Sequence, residues 1–162
     1  MYSYGNYYTW HAAIADLTYN GTNNSSVTNT SLCPAGWHLP KGGNKSNEAN
    51  NDFWSLVVTG INEGTNPANY ESSTQPYYTG SPEGSDASKA IRAYPNNFLY
   101  SGYFETSSAY SRGSNGYSWS STTLSNYGSY YLDLNGSNVN PGTYNINKNN
   151  GYSIRCTVSA GT

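Results

Sequence analysis

The chain's only two cysteines stand at opposite ends of a long polar stretch, in Cys33-Pro34-Ala35-Gly36-Trp37-His38-Leu39-Pro40 and Gly151-Tyr152-Ser153-Ile154-Arg155-Cys156. With no third cysteine to compete, a Cys33–Cys156 disulfide is the expected pairing. It closes a loop of about 120 residues, for which the chain-entropy model gives roughly 4 to 5 kcal/mol before native strain is subtracted. Such a bond persists only under oxidising conditions, so the expected location is extracellular.

At 162 residues the sequence fits one domain spanning 1–162, large enough to bury about 70% of its unfolded surface. Only 35% of residues are hydrophobic, which taken alone argues for disorder. Disordered chains, however, are poor in aromatics and rich in net charge, whereas this one is 15% aromatic, with 18 Tyr, and 10% charged. An ordered, tyrosine-rich domain follows. A formal charge of −2 and a pI near 5.5 give no footprint for nucleic acid or for an anionic membrane. No apolar run is long enough to insert into a bilayer. The start at Met1-Tyr2-Ser3-Tyr4 has neither the basic nor the apolar region of a signal peptide. The stretch is therefore expected to be excised from a larger exported surface protein, with its export signal and anchor elsewhere and with contacts to adjacent domains of the parent.

Apolar residues Trp10, Ala13, Ile14 and Leu17 recur at spacings of three and four, predicting a short amphipathic helix over 8–17. The polar stretch 18–31 reads as an exposed loop. Ser46 or Asn47 can cap a second helix carrying Phe53, Trp54, Leu56, Val57 and Val58 and ending at Gly60. Residues 60–85 read as an irregular surface loop, and a third helix is predicted over 86–92, stopping before Pro95. The period then changes. Residues 97–105, 116–124, 128–136 and 151–158 are rich in Tyr, Trp, Ile and Val between Gly, Asn and Ser, and they read as antiparallel strands. Helices followed by strands define an α+β class: two or three short helices packed on short antiparallel strands with long irregular loops.

Four ordered motifs carry a resemblance: the Cys33 to Pro40 segment, Gly116-Tyr117-Ser118-Trp119-Ser120-Ser121-Thr122, Tyr130-Tyr131-Leu132, and Gly151 to Cys156. Together, across almost the whole chain, they resemble the Fibrobacter succinogenes major paralogous domain. The resemblance implies a C-type-lectin-like fold of the formylglycine-generating-enzyme-like branch, found in exported bacterial surface proteins and mostly without an assigned activity. The residues add their own expectations. Gly36 allows a sharp turn that brings Trp37 and Leu39 inward. Tyr117, Trp119 and Ser121 share one face of a strand, with Ser118 and Ser120 on the other. In the last motif Tyr152, Ile154 and Cys156 share a face opposite Ser153 and Arg155. Arg155 is expected to be at least partly buried and bonded to loop carbonyls or to a carboxylate such as Asp133; the alternative is contact with an anionic ligand.

Catalysis requires a nucleophile beside a base, or several metal ligands. His11 and His38 are the only histidines, both in surroundings that read as structural, and no HExxH, GxSxG or CxxC pattern is present. Paired cysteines cannot serve as nucleophiles or bind copper, so the oxidase chemistry of the related branch finds no residues here. No enzyme activity, cofactor or metal is expected. Asp133-Leu134-Asn135-Gly136-Ser137-Asn138 has the alternating oxygens of a calcium loop but lacks the closing glutamate, and a type I′ hairpin at Asn135-Gly136 explains it as well.

The excess of Tyr, Asn, Ser and Gly over 110–152 goes beyond what strands and turns need. Such a composition resembles a paratope: rigid tyrosines give contact area and small polar residues give adaptable hydrogen bonds. It also resembles lectin-like proteins diversified by adenine-directed mutagenesis, although an AT-rich genome produces the same bias. The expected function is a non-catalytic recognition module on the bacterial cell surface, an adhesin-like binder of a glycan or protein of a host or neighbouring cell. Its contact residues are expected to be Tyr110, Arg112, Asn115, Tyr127, Tyr130, Asn138, Asn140, Tyr144 and Asn147. The alternative is a structural domain of an envelope or surface filament without a soluble ligand.

Overall fold

Thr9 caps the first helix, its Oγ1 accepting the Ala12 N–H at 3.3 Å. The single turn α1 (Trp10–Ala13) drives Trp10, Ala13 and Ile14 inward. It is shorter than the periodicity over 8–17 predicts. Ala15 takes a left-handed φ of 54° and Asp16 Oδ1 accepts the Thr18 N–H at 2.8 Å. This side-chain turn competes successfully with helix continuation and leaves Leu17 82% exposed. The computed structural model describes residues 5–19, 30–43, 52–57 and 83–158, without the side chains of 83–87 and 143–146. The predicted caps Ser46 and Asn47, together with Val58, Gly60 and most of the predicted loops 18–31 and 60–85, lie outside the described residues.

Cys33 and Cys156 are disulfide-bonded, their Cα atoms 5.7 Å apart. Close to the bond, β1 (Trp37–His38) pairs antiparallel with β7 (Thr157–Val158) after a turn in which Gly36 has a φ of 82°. Leu39 is buried, but the expectation that Trp37 also points inward is corrected. Trp37 pairs directly with Val158, and the two share the outer face, each about half exposed.

Helix α2 (Asp52–Ser55) buries Phe53 and Trp54, followed by Val57. Helix α3 (Glu83–Arg92) begins within the stretch predicted as loop; weak helix formers at Gly84 and Ser85 hid its start. It carries Lys89 and Arg92 in its last turn, where the helix dipole favours cations, and it stops before Pro95 as expected.

The chain then forms a hairpin, β2 (Tyr103–Glu105) with β3 (Ser108–Tyr110), and a three-stranded antiparallel meander. The meander's strands are β4 (Asn115–Thr123), β5 (Gly128–Asn135) and β6 (Val139–Asn147). Strands β4 and β5 lie where the sequence places them. Strand β6 falls outside the predicted strands, because Pro141 and Gly142 are poor strand residues; it is an edge strand with register shifts, where proline is tolerated. Of the predicted strand 97–105 only the end pairs. Of 151–158, residues 151–153 make isolated bridges to Tyr8, Phe104 and Ser118 and only the last two residues form a strand. The β5–β6 turn is closed by Asn135 N–H to the Asn138 carbonyl at 2.9 Å and by Ser137 N–H to Asn135 Oδ1 at 3.0 Å. Neither Gly136 nor Ser137 has positive φ, so the turn is not type I′.

Both faces of the meander are covered, which removes the alternation of a half-exposed sheet. One face holds Leu132, Leu134 and Val139 under Phe53, Val57, Ile91 and Phe98. The opposite face packs Trp119, Tyr131 and Tyr152 against Trp10, Ile14 and Leu39. The architecture is α+β, with, among the described residues, three short helices and small antiparallel sheets.

Candidate functional site

Strand alternation aims Tyr117 and Trp119 of β4, and Tyr131 and Asp133 of β5, at the same side. The bridged segment 151–153 inserts Tyr152 among them. Its ring stacks on Trp119 at 4.3 Å and on Tyr117 at 5.2 Å, and meets Tyr131 edge-on at 5.0 Å. Trp119 Nε1 donates to the Tyr8 carbonyl at 2.7 Å, anchoring the buried end. The β2–β3 hairpin continues the row outward. Tyr103 and Tyr110 are cross-strand partners stacked at 5.3 Å, and Tyr103 meets Tyr117 edge-on at 5.4 Å. Rings in contact therefore run from fully buried Trp119 to Tyr110, which is 45% exposed. Such pairs add about 0.5 to 1.5 kcal/mol each beyond buried area, so the row is rigid.

Asp133 sits on this aromatic side, paired across the sheet with Tyr117. Its Oδ1 is buried with no hydrogen-bond partner among the described residues. Burial pushes its pKa up to about 6. Burial first, and the Asp133 charge second, push the Tyr117 hydroxyl up to about 12. Burial likewise raises Tyr131 and Tyr152. The hydroxyls stay protonated and serve as donors throughout the physiological range.

Five of the nine predicted contact residues gather at one end of the meander, next to the exposed end of the ring row. Tyr110, Arg112 and Asn115 belong to β3, the β3–β4 connection and the start of β4. Asn138 and Asn140 join them because the register pairs Asn115 with Asn135, Leu134 with Val139 and Asp133 with Asn140. Arg112 Nε donates to the Tyr7 hydroxyl at 2.7 Å and its guanidinium lies 5.2 Å from the Tyr7 ring centre. Asn140 Oδ1 accepts the Gly142 N–H at 3.0 Å.

The remaining four do not join this group. Tyr127 and Asn147 stand at the opposite end of the same sheet, where Gly128 pairs with Asn147, and the eight residues of β5 separate the ends by roughly 25 Å. Tyr130 is 1% exposed, since adjacent Tyr130 and Tyr131 must face opposite sides of a sheet covered on both. It is unavailable to a ligand. Tyr144 lies in β6 with its side chain outside the described residues. Tyr103 and Tyr7 were missed by sequence reading. Tyr103 and Tyr110 flank the β2–β3 turn symmetrically, a signal that could have found the pair.

The expectation of a partly buried Arg155 is also corrected. Strand pairing lapses between Ser153 and Thr157, and Arg155, in that gap, lies exposed on the surface. Its Nη2 donates to the Asn96 carbonyl and its guanidinium stands 5.0 Å from the Phe98 ring centre. The carbonyl bond agrees with the expectation; Asp133 faces the aromatic side instead. His38 Nε2 lies 3.4 Å from Asp52 Oδ2, which also accepts the Lys41 N–H at 2.7 Å. His11 Nδ1 lies 3.2 Å from the Asp16 carbonyl. Among the described residues no helix is long and apolar enough to cross a membrane.

No family model, curated protein or solved structure matches this chain significantly.

Proposed function

We propose that the chain is a non-catalytic recognition module of the C-type-lectin-like kind its four motifs resemble, displayed on the outside of a bacterial cell. It binds a glycan or protein of a host or neighbouring cell at the sheet end formed by Tyr110, Arg112, Asn115, Asn138 and Asn140. The observation that carries this reading is the row of packed rings that emerges at that end, with a cation and three asparagines beside it. A pre-packed aromatic loses little entropy on binding, and the polar neighbours supply directional bonds. The Cys33–Cys156 bond supports an oxidising compartment. Arraying the folded domain on glycans and extracellular matrix proteins tests the reading: selective binding is expected, and no binding on either array would remove it.

The second reading, a structural domain of an envelope or surface filament, draws on Leu17, Tyr94 and Tyr127, which are 82%, 88% and 83% exposed. It requires concentration-dependent self-association that Tyr127→Ser weakens, measurable by sedimentation.

A further inference from the structure

On the other side of the meander the segments 97–101 and 153–155 enclose a cleft of about 270 Å³ that none of the predicted contact residues lines. We propose that this cleft binds an acidic monosaccharide residue, a hexuronic or nonulosonic acid: a sugar ring carrying one carboxylate. This deepens the recognition-module reading by naming a ligand class, but it assigns that ligand to a different surface.

Among the described residues Arg155 is the only charged side chain lining the cleft, so the site favours an anion. Its guanidinium is held on two sides, by the Asn96 carbonyl and by the Phe98 ring. Among the described residues one of its five N–H donors is used, by the Asn96 carbonyl, and enough remain for a bidentate pair with a carboxylate. A guanidinium already positioned this way loses less freedom on binding than a free one.

Ser153, backed by the buried Ser101 and Ser118, presents an oxygen of the opposite polarity. Ser153 gives its single proton to the Tyr117 carbonyl. The Ser118 hydroxyl, 3.1 Å away, must then be the donor to Ser153 Oγ. Ser101 directs its proton to the Gly102 carbonyl at 3.3 Å or to Ser153 Oγ at 3.4 Å. All three protons point into the protein, and Ser101 and Ser118 are almost fully buried, so the acceptor offered to the cleft is Ser153 Oγ, which keeps a lone pair when Ser101 turns to the Gly102 carbonyl. A ligand matched to the cleft brings a hydroxyl donor to Ser153 and a carboxylate to Arg155.

Phe98, Leu99 and Ile154 form the apolar wall against which the C–H face of a sugar ring packs. The wall lies close to β4 because Gly116 has no Cβ: one built there would stand 2.3 Å from the Leu99 carbonyl oxygen. A fatty acid would bring no hydroxyl donor to Ser153, and a neutral sugar would leave the guanidinium without its anion.

The test is NMR titration of the whole chain with N-acetylneuraminic acid, glucuronic acid and the methyl glycosides of galactose and glucose. The acids are expected to shift the amides of Leu99, Ser118, Ser153 and Arg155 and to bind at least about 10-fold tighter than the neutral sugars, a difference near 1.4 kcal/mol. Arg155→Ala abolishes that preference, while Arg155→Lys keeps part of it because the charge remains and the fork is lost. Leu99→Asp, at an exposed position, weakens the acids more than the neutral sugars at an unchanged melting temperature, because it adds charge repulsion to the loss of the apolar wall. Tyr110→Ala leaves acid binding intact, so a blank array with a positive titration would remove the tyrosine-end reading and keep this one. Four results would overturn the assignment: no shifts at about 10 mM, well above the weakest useful affinity; equal binding of acids and neutral sugars; tighter binding of a short peptide's C-terminal carboxylate; or an unchanged preference in folded Arg155→Ala.

Discussion

The two faces of the β4–β5–β6 meander solve the same burial problem with different residues. Beneath α2 and α3 the buried cluster is aliphatic apart from Phe53 and Phe98, with Tyr100 packed at its margin and buried Tyr130 on the same side of the sheet. The opposite face is built from Tyr and Trp, and it does not close: the same contacts that stack Tyr152 on Trp119 continue through Tyr117 and Tyr103 to Tyr110 at the surface. A leucine row ending in water would leave an apolar patch. A tyrosine row can end there because each ring has a polar tip. One strand set thus makes a core on one side and a core that becomes a surface on the other.

The largest effect expected from breaking this arrangement is at Trp119. Trp119→Ala removes the buried end of the row and its Nε1 bond to Tyr8, and is expected to cost about 3 to 5 kcal/mol in denaturant unfolding. Leu132→Ala on the aliphatic face is the comparator, at about 2 to 4 kcal/mol. If the leucine variant were the more damaging, the aromatic face would not be the principal core. Reduction of Cys33–Cys156 is expected to lower stability by about 2 to 4 kcal/mol. Cys33 packs against the aromatic cluster, so amide exchange should rise first around Trp10, Trp119 and Tyr152.

A smaller effect, of opposite sign, is expected at Asp133. Its folded pKa, about 6, lies above the ordinary 3.8, so the folded chain holds more protons than the unfolded chain between those values. The contribution of Asp133 to stability is therefore most favourable below about pH 4, falls as the pH rises toward 6 and levels off above it. Asp133→Asn is expected to abolish this slope and to raise stability at pH 7 by up to about 2 kcal/mol. Melting curves of both proteins from pH 4 to 7 provide the check, and an identical pH dependence would mean that the carboxylate is solvated. Arg155→Ala, at an exposed side chain, is expected to change stability by less than about 1 kcal/mol.

The sequence made these faces only partly legible. The alternation of Tyr117 with Trp119 placed both rings together, and β4 and β5 could be read because Gly, Asn and Ser punctuate runs of aromatic residues. The disulfide was legible from two cysteines and nothing else. Burial on both faces was not, because Ser118, Ser120, Ser121, Thr122 and Thr123 are polar residues whose burial depends on tertiary neighbours: Ser121 Oγ reaches the Pro40 carbonyl and Ser120 Oγ the Tyr130 carbonyl. Leu17 and Trp37 came out exposed because a left-handed Ala15 and the pairing of Trp37 with Val158 overrode local periodicity. Of the expected contact residues, composition singled out the right types without separating the two ends of the sheet. That separation is a matter of register, which depends on pairings between strands far apart in sequence.

The smallest expected change in stability accompanies the largest expected change in binding, and that contrast is the direct test of the tyrosine end. Wild type, Tyr110→Ala and Tyr127→Ser are to be compared on the same glycan and matrix-protein arrays after their melting temperatures are measured. Tyr110→Ala is expected to lose at least about 10-fold in affinity for the proteins and uncharged glycans that wild type selects, with a stability change below about 1 kcal/mol, while Tyr127→Ser binds as wild type does. Undiminished binding of those ligands by folded Tyr110→Ala, or loss at Tyr127→Ser alone, would contradict the claim that the ring row delivers its outermost member to a ligand.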